Sequence, residues 1–402
     1  MALLLDDALP GHSDPKPIVV AKPTTDASPV ATLQALAAAS GASYLQLAAA
    51  LVRLALGPGR LSFEEFSTLT LAGCLAAAGI EGESFVGFAT ARHLWLAANY
   101  RTDHYALAEN KIACNALLAA HGFPTTSRVA LYSDRVAWRS PQLLTGPDDV
   151  SDFLRSTGQF PIFGKPMDGH QSLGAISLER YDAAGDCLVL QNGQTIALDR
   201  CVADIVQHYG RGYVFQKREP PHPALRELCG DRLATVRLLT ARRPSGPTIL
   251  RACLKMPAGE NTADNFWRPG NLLAQLDGES GRILCVLRQT RQGAVEVTHH
   301  PDSGVPLLGR DVPNWQQVTD LALRGAAVFD EIALAGWDIA PVERRAIILE
   351  LNHTPDFMLH QLADRRGILD ADFRIFLDER REAARAWRQT VKREIKRHFI
   401  RS

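Results

Sequence analysis

The sequence predicts a mixed α+β fold, with a helical region before it and one long amphipathic helix after it. Residues 31–122 are rich in alanine and leucine at helical spacing, broken at GPGR and near GIEGES. From about residue 124, short runs of β-branched and aliphatic residues alternate with helical segments, as in a mixed sheet covered by helices. Residues 371–401 repeat apolar side chains at helical spacing, which predicts the final helix.

The first 30 residues carry Asp6, Asp7 and several prolines, without the basic start and apolar core of a signal peptide. We expect a flexible arm here. The most apolar early segment, YLQLAAALVRLALG, is interrupted by Arg53 and is too short to span a bilayer. We therefore expect it to form a packed helix.

The mixed region begins with a helix and continues with strands. We expect a helix in ENKIACNALLAAHGF, ended by Gly122. The runs with strand character are RVALY, FPIFGKP, CLVLQ, GYVFQK, ATVRLLTA, TILRACLKM and GRILCVL.

Two acids and an amide occupy unusual places in a segment that has the pattern of a buried hairpin, GWDIAPVERRAIILELNHTPD. If the turn is centred near Arg344, Asp338 lies opposite Glu350 as a cross-strand neighbour. Glu350 and Asn352 then point to one face, because side chains alternate along a strand. Three oxygen donors on one patch suit Mg²⁺, although a solvated sheet face without a metal gives the same pattern.

Composition limits the classes of function. A chain of 402 residues with 46% hydrophobic and 22% charged residues is long enough for two or three lobes with their own cores. Lysine plus arginine equals aspartate plus glutamate at 44 each, so no overall field attracts nucleic acid or a membrane. The seven cysteines form no C-x-x-C pair or zinc spacing, which favours reduced thiols and a cytoplasmic location.

Three cationic residues stand in apolar or glycine-containing surroundings. Lys165 ends a predicted strand before a loop with Gly169 and Gly174, an arrangement that can hold phosphate. Lys111 begins the predicted helix, and Arg237 lies among apolar strand residues, where an unpaired charge is costly. Taken singly, each residue also has a purely structural explanation. Lys165 can be a surface lysine in a turn, Lys111 a solvated lysine in the first turn of a helix, and Arg237 one member of a structural ion pair.

The order of these features resembles the ATP-grasp superfamily, and most closely its sugar-transfer-associated branch. Six ordered blocks between about residues 100 and 360 carry the resemblance. They are NKIACNALLAAHGFPT, FGKPMDGHQSLG, PHPALRELCGDRLATVRLLTA, ADNFWRPGNLLAQLDGESGRI, HHPDSGVPLLGRDVPNW and GWDIAPVERRAIILELNHTP.

The resemblance implies two α+β lobes that clamp ATP. The small lobe would span 123–217 and the large lobe 218–370, after the helical region 31–122 and before the helix 371–402. The implied ATP-binding residues are Lys111, Lys165, Gly169, Gln171, Ser172, Gln216 and Lys217. Asp338, Glu350 and Asn352 would hold two Mg²⁺ ions, and Arg237 with Lys165 would act on the transferred phosphate.

The blocks peculiar to this branch imply a second group of residues, at the acceptor site. These are His222, Asn265, Arg268 and Asn271. Lys255, which lies between two of the blocks, is a further candidate for the acceptor site and stands where the branch is expected to have arginine. Hydrogen bonds within loops are the alternative role for these side chains.

The implied activity is ligation of a small-molecule carboxylate to an amine through an acyl phosphate. The product would be a surface-polysaccharide precursor or a small metabolite. A kinase that phosphorylates a hydroxyl and a non-catalytic nucleotide-binding partner of a glycosyltransferase are the alternatives. We expect Asp338→Asn and Glu350→Gln each to abolish turnover and leave the fold intact.

The final helix has a basic outer face. Packing on the body is one interpretation of its apolar spacing, and peripheral contact with a partner or an anionic membrane surface is the other.

Overall fold

The structure is a computed structural model that describes residues 29–75, 82–135, 142–167, 174–290 and 293–400. Most of the expected N-terminal arm lies outside these ranges. So do Gly169, Gln171 and Ser172 of the expected phosphate loop.

The N-terminal region is helical, as the alanine- and leucine-rich spacing predicts. Its helices are α1 Pro29–Ser40, α2 Tyr44–Leu56, α3 Phe63–Leu71, α4 Phe88–Ala98, α5 Tyr105–Glu109 and α6 Lys111–Ala120. Capping boxes start α2 and α3, where Ser43 pairs with Gln46 and Ser62 with Glu65. Gly122 follows α6 at a φ of 73°, a left-handed conformation that suits glycine and ends the helix as expected.

A first sheet of seven strands forms the smaller lobe. In chain order its elements are β1 Arg128–Tyr132, β2 Leu143–Leu144, α7 Pro147–Ser156, β3 Ile162–Pro166, β4 Ile176–Asp182, β5 Cys187–Leu190, β6 Thr195–Ala197, α8 Leu198–His208 and β7 Tyr213–Lys217. The strand order is β2-β1-β7-β3-β4-β5-β6. Phe153 and Leu154 of α7 and Ile205 of α8 pack with Phe215 of β7 in one apolar core.

A second sheet of seven strands forms the larger lobe. Its elements are α9 Pro223–Cys229, β8 Thr235–Arg243, β9 Gly246–Met256, β10 Leu272–Leu276, β11 Ile283–Thr290, β12 Gly293–Glu296, α10 Trp315–Val328, β13 Leu334–Pro341, β14 Ala346–Asn352 and α11 Phe357–Asp364. The strand order is β12-β11-β10-β9-β8-β13-β14. All seven runs identified as strand-like in the sequence contribute strands to the two sheets.

The two faces of the second sheet differ in polarity. Helix α10 packs with Leu238, Leu254 and Trp337 in the largest apolar cluster on one face. Alternation along the strands turns Arg237 and Asp338 to the opposite face, on which α11 lies. The apolar face thus supports the sheet, and the opposite face carries the buried charged side chains.

Short backbone contacts beside β13 and β14 fix the segments that lead into each lobe. The amide of Ile348 donates to the carbonyl of Pro124, just before β1, and the amide of His222, between β7 and α9, donates to the carbonyl of Pro341. These contacts hold both segments against the hairpin at the edge of the second sheet.

The C-terminal helix α12, Ala371–Ile400, packs on the body through its first half. Phe373, Phe376, Leu377 and Ala384 are buried, and from Arg388 onward the side chains that are described are mostly exposed. No single helix among the described residues is long and apolar enough to cross a bilayer; α1 and α2, bent by 98°, pass that test only as a pair.

Asn99, fully buried at the end of α4, joins this helix to the second sheet. Its Nδ2 donates to the carbonyls of Leu334 and His353, and its Oδ1 accepts from the amide of Leu334, all at 2.8 Å. These bonds tie the start of β13 to the chain just beyond β14.

We predict that Asn99→Ala lowers the free energy of unfolding by roughly 3 kcal/mol, because it leaves buried backbone groups without partners. Urea denaturation followed by tryptophan fluorescence measures this change. Asn192→Ala, which removes only exposed turn hydrogen bonds, is the matched control and should change stability by less than about 0.5 kcal/mol. Equal stability of the two variants would contradict the role of Asn99.

Candidate functional site

The expected hairpin brings the predicted oxygen donors together. Asp338 pairs with Glu350 across β13 and β14, as the position of the turn predicts, although a bulge follows Asp338. Glu350 and Asn352 share a face, and the Asn352 Nδ2 donates to the Glu350 Oε1 at 3.2 Å. Both side chains are partly exposed, whereas Asp338 is buried.

Arg237 holds Asp338 in a buried ion pair. The Arg237 Nε donates to Asp338 Oδ1 at 2.5 Å, and its Nη2 donates to Oδ2 at 2.6 Å, so both carboxylate oxygens are engaged. Burial alone would raise the pKa of Asp338, but the charges of Arg237 and Lys255 bring it below its usual range. The anionic partner that the sequence required for Arg237 is therefore present within the fold.

Lys255 extends this pair into a buried network. Its Nζ lies 3.2 Å from Asp338 Oδ1 and 3.5 Å from Asp264 Oδ2, and its side chain is 7% exposed. Burial lowers the pKa of Lys255, but Asp264 and Asp338 outweigh this effect and raise it, so the lysine stays charged. The Thr235 hydroxyl donates to Asp264 from the neighbouring strand.

Sequence reasoning did not identify Asp264. It precedes Asn265 in a segment that reads as an ordinary polar loop, and no spacing connects it to Lys255. Burial raises the pKa of its carboxyl group against the opposing charge of Lys255. The only available signal was an acid beside residues already expected at the acceptor site.

Lys165 and Lys111 face this network from the smaller lobe and from the start of α6. Burial lowers the pKa of Lys165 to about 8, the charge of Glu350 opposes that shift, and the charge of Lys111 adds to it. These interactions place Lys165 near Glu350 and Lys111 near Lys165. Asn110 caps α6 by accepting from the amides of Ile112 and Ala113, so Lys111 is held in the first helical turn.

Four cationic side chains meet four carboxyl groups at the site. The cations are Lys111, Lys165, Arg237 and Lys255, and the carboxyl groups are those of Asp264, Asp338, Glu350 and Asp356. Arg237 and Lys255 are held by Asp338 and Asp264, whereas Lys111 and Lys165 approach from the side of the smaller lobe, where two lysines suit a bound polyanion.

The segment expected to border the adenine lies between the lobes. Gln216 is buried in β7 and pairs with both Arg128 of β1 and Phe163 of β3. Lys217, at the end of β7, is exposed, and its amide donates to the carbonyl of Ser127. The backbone beyond Lys217 then leads to α9 in the larger lobe.

Three of the expected acceptor residues hold backbone in place. His222 caps α9 by accepting from the amide of Ala224, and Asn265 accepts from the amide of Trp267. The fully buried Asn271 accepts from the Ala258 amide and donates to two carbonyls of its own loop. The half-buried Arg268 lies on the same loop, and burial lowers its pKa.

Two further residues of the polar face were missed because they lie on α11, beyond the recognised blocks. Asp356 caps α11 through the Met358 amide and accepts from the Trp267 indole at 3.0 Å. His360, one turn further on, is fully buried, and neither ring nitrogen has a hydrogen-bond partner. Burial, and next the charge of Arg237, lower its pKa to about 3, so the ring is neutral.

The donor set fits Mg²⁺ shared with a phosphate ligand. Glu350 and Asn352 offer oxygens that are partly exposed, and this ion keeps waters and substrate oxygens in its shell. Asp338 can join them only by sharing a carboxylate that Arg237 and Lys255 already hold. Among the described residues, no group of three or more His, Cys, Asp or Glu forms a metal cage within the protein.

The family model for sugar-transfer-associated ATP-grasp proteins matches residues 91–374, from within α4 to the first turn of α12. The chain belongs to this family. The match includes both sheets and every site residue described above, so the fold is the ATP-grasp fold with added helices at both ends.

Solved ATP-grasp structures resemble the chain distantly. The D-alanine-D-alanine ligase from Coxiella burnetii has 13% identity and a TM-score of 0.41, covering 72% of this chain and 63% of its own. The corresponding ligase from Bacillus anthracis has 12% identity and a TM-score of 0.39, covering 71% of each. The ATP-grasp ligase PsnB, complexed with its minimal precursor, has 15% identity and a TM-score of 0.35, covering 69% of this chain and 62% of its own.

The chain thus spans less than two thirds of the length of some of these structures. No curated protein sequence matches it significantly.

The buried network changes one expectation from the sequence. We now expect Asp338→Asn to destabilise the fold, because it leaves Arg237 and Lys255 buried without their shared counter-charge. We predict a loss of about 3–5 kcal/mol in the free energy of unfolding. Glu350→Gln, on a side chain 31% exposed and 4.0 Å from Arg237, should cost less than about 1 kcal/mol.

Chemical denaturation of Asp338→Asn and Glu350→Gln measures these two losses of stability. Unfolding of Asp338→Asn at the same denaturant concentration as Glu350→Gln would show that the ion pair contributes little to stability.

Proposed function

We propose that the protein is an Mg-ATP-dependent ligase that joins a carboxylate to an amine through an acyl phosphate. The observation that carries the proposal is the pair of lysines, Lys111 and Lys165, which faces the partly exposed oxygens of Glu350 and Asn352. The triphosphate would lie between these lysines, with the adenine beside Gln216 and Lys217.

The first half of the reaction forms the acyl phosphate. An oxygen of the substrate carboxylate attacks the γ-phosphorus, the bond to the β-phosphate oxygen breaks, and ADP leaves with that electron pair. Lys165 and Lys111 neutralise the charge that develops on the phosphate oxygens, and Arg237 stabilises the transferred phosphoryl group. The protein thus acts through position and charge, without a covalent intermediate of its own.

The second half forms the amide. The amine attacks the acyl carbon, phosphate leaves, and the amine loses a proton. Arg268 and Asp264 lie on the loop that would carry this acceptor, while His222, Asn265 and Asn271 would act through the backbone that they hold. We propose a surface-polysaccharide precursor or a small metabolite as the substrate.

Magnesium would be held by Glu350, Asn352 and a shared oxygen of Asp338, and it would supply positive charge to neutralise the phosphates. The residues of the expected phosphate loop, Gly169, Gln171 and Ser172, belong to the same proposal but lie outside the described residues.

Product analysis tests the reaction class. The protein is incubated with Mg-ATP, a panel of carboxylic acids and hydroxylamine as a generic amine. Hydroxamate formed together with ADP is the expected result, because hydroxylamine traps an acyl phosphate. A stable phosphorylated hydroxyl compound in place of hydroxamate would contradict ligation and assign a kinase.

The pKa of Lys165 predicts how ATP affinity depends on pH. Since burial lowers this pKa to about 8, the side chain is charged below pH 8 and becomes neutral above it, so the attraction for phosphate falls as the pH rises. We expect the Kd for ATP, measured by calorimetry, to increase about tenfold per pH unit above that value.

Lys165→Met should weaken binding at neutral pH and abolish this dependence. Lys392→Met, on the exposed part of α12, is the matched control and should behave as the wild type. The same pH profile in Lys165→Met and the wild type would exclude Lys165 as the titrating group.

A further inference from the structure

The two halves of α12 differ in charge. Residues 371–384 carry four acidic and three basic side chains, and in this half Phe373 and Phe376 are buried against the body. Residues 385–397 carry six basic side chains and one acid, Glu394. The six are Arg385, Arg388, Lys392, Arg393, Lys396 and Arg397. Packing therefore accounts for the first half of the helix but not for the positive charge of the second.

Five cations of α12 form one row along the helix. With 3.6 residues per turn, positions 381, 385, 388, 392 and 396 fall within a sector of about 80°. We call Arg381, Arg385, Arg388, Lys392 and Lys396 the basic row. All five side chains are exposed, and among the described residues only Arg381 forms an ion pair, with Asp378 at 2.8 Å.

An apolar line runs beside the basic row and leaves the body with it. Trp387 still contacts the body, with its ring 5.7 Å from that of Tyr100. Val391, one turn further on, is partly buried, and Ile395, in the next turn, is 53% exposed. An apolar line with lysine and arginine along its flank is typical of a helix that lies in a membrane surface.

A cleft between α4 and α12 opens beside the basic row. It has a volume of about 250 Å³, and its lining includes Arg381, Arg385 and Arg388 of α12 with Leu96 and Ala97 of α4. This volume is below the roughly 300–1,000 Å³ of sites that enclose a whole small molecule. Guanidinium groups beside an apolar wall suit the phosphate and nearest methylene groups of a phospholipid, the rest of which stays in the bilayer.

We propose that the second half of α12, together with this cleft, binds the surface of a membrane that contains anionic phospholipids. Each lysine or arginine close to such a surface strengthens binding about fivefold. The four members of the basic row without an ion pair therefore favour an anionic over a neutral surface by a factor on the order of several hundred.

Other occupants fit this surface less well. Nucleic acid is held by phosphate contacts and by stacking of its bases, so it makes no use of the exposed aliphatic side chains of Ile395 and Leu96 beside the cations. A second copy of the chain would bring together two segments that each have six cations against one acid, and like charges repel.

Cosedimentation of the full chain with vesicles tests the proposal. At about 0.1 M salt we expect binding to phosphatidylcholine vesicles with about one third phosphatidylglycerol and none to phosphatidylcholine alone, and we expect binding to weaken strongly at about 1 M salt. Lys392→Glu/Lys396→Glu should weaken binding at least about 25-fold, because two cations of the row are lost. Arg53→Glu/Arg344→Glu, at exposed arginines of α2 and of the β13–β14 turn, changes the net charge equally and should bind as the wild type does.

Two further variants distinguish a membrane from another polyanion. Ile395→Gln keeps every charge but should weaken vesicle binding about tenfold, because an aliphatic side chain no longer enters the acyl layer. Arg385→Gln/Arg388→Gln, which removes two cations of the cleft, should weaken it about 25-fold. Circular dichroism checks that each variant keeps its helices.

Three results would overturn the proposal. They are failure of the wild type to bind the mixed vesicles, equal binding by Lys392→Glu/Lys396→Glu and its control, and unchanged binding by Ile395→Gln. Displacement of the protein from the mixed vesicles by duplex DNA at an equal phosphate concentration would also overturn it and would assign the surface to nucleic acid.

Discussion

The ion pair between Arg237 and Asp338 is the interaction around which the site is built. It joins β8 to β13 on the polar face of the second sheet, and Lys255 connects it to Asp264 on the loop above. Glu350 lies on the open side of the pair and Lys165 faces it from the other lobe. A bidentate pair fixes the planes of both groups, which gives the surrounding charges a rigid reference.

Burial of such a pair costs desolvation free energy, which its hydrogen bonds and the second cation, Lys255, offset. The other face of the same strands carries none of this cost, because Leu238, Leu254 and Trp337 pack under α10. Alternation along β8, β9 and β13 therefore separates stability from chemistry within single strands. A shift by one residue in any of them would exchange the two faces.

The sequence predicted those parts of the fold and site that depend on local pattern. The pairing of Asp338 with Glu350 followed from a period of two and the position of one turn, and the strands and α6 followed from their apolar runs. Asp264 and His360 could not be predicted, because they reach the polar face only through the path of a loop and the docking of α11. The ion pair between Arg237 and Asp338 could not be predicted either, because 101 positions separate the two residues in the chain.

The N-terminal helices share one hydrophobic cluster with the far side of the site. Leu36, Leu47 and Leu69 pack in the same cluster as Phe266, on the loop between β9 and β10, and Leu359 of α11. Gln361 of α11 also exchanges hydrogen bonds with the backbone of Val86, just before α4. We therefore expect the helical region to unfold together with this side of the second sheet, so that hydrogen exchange in α1–α3 reports on the order of the loop that carries Phe266.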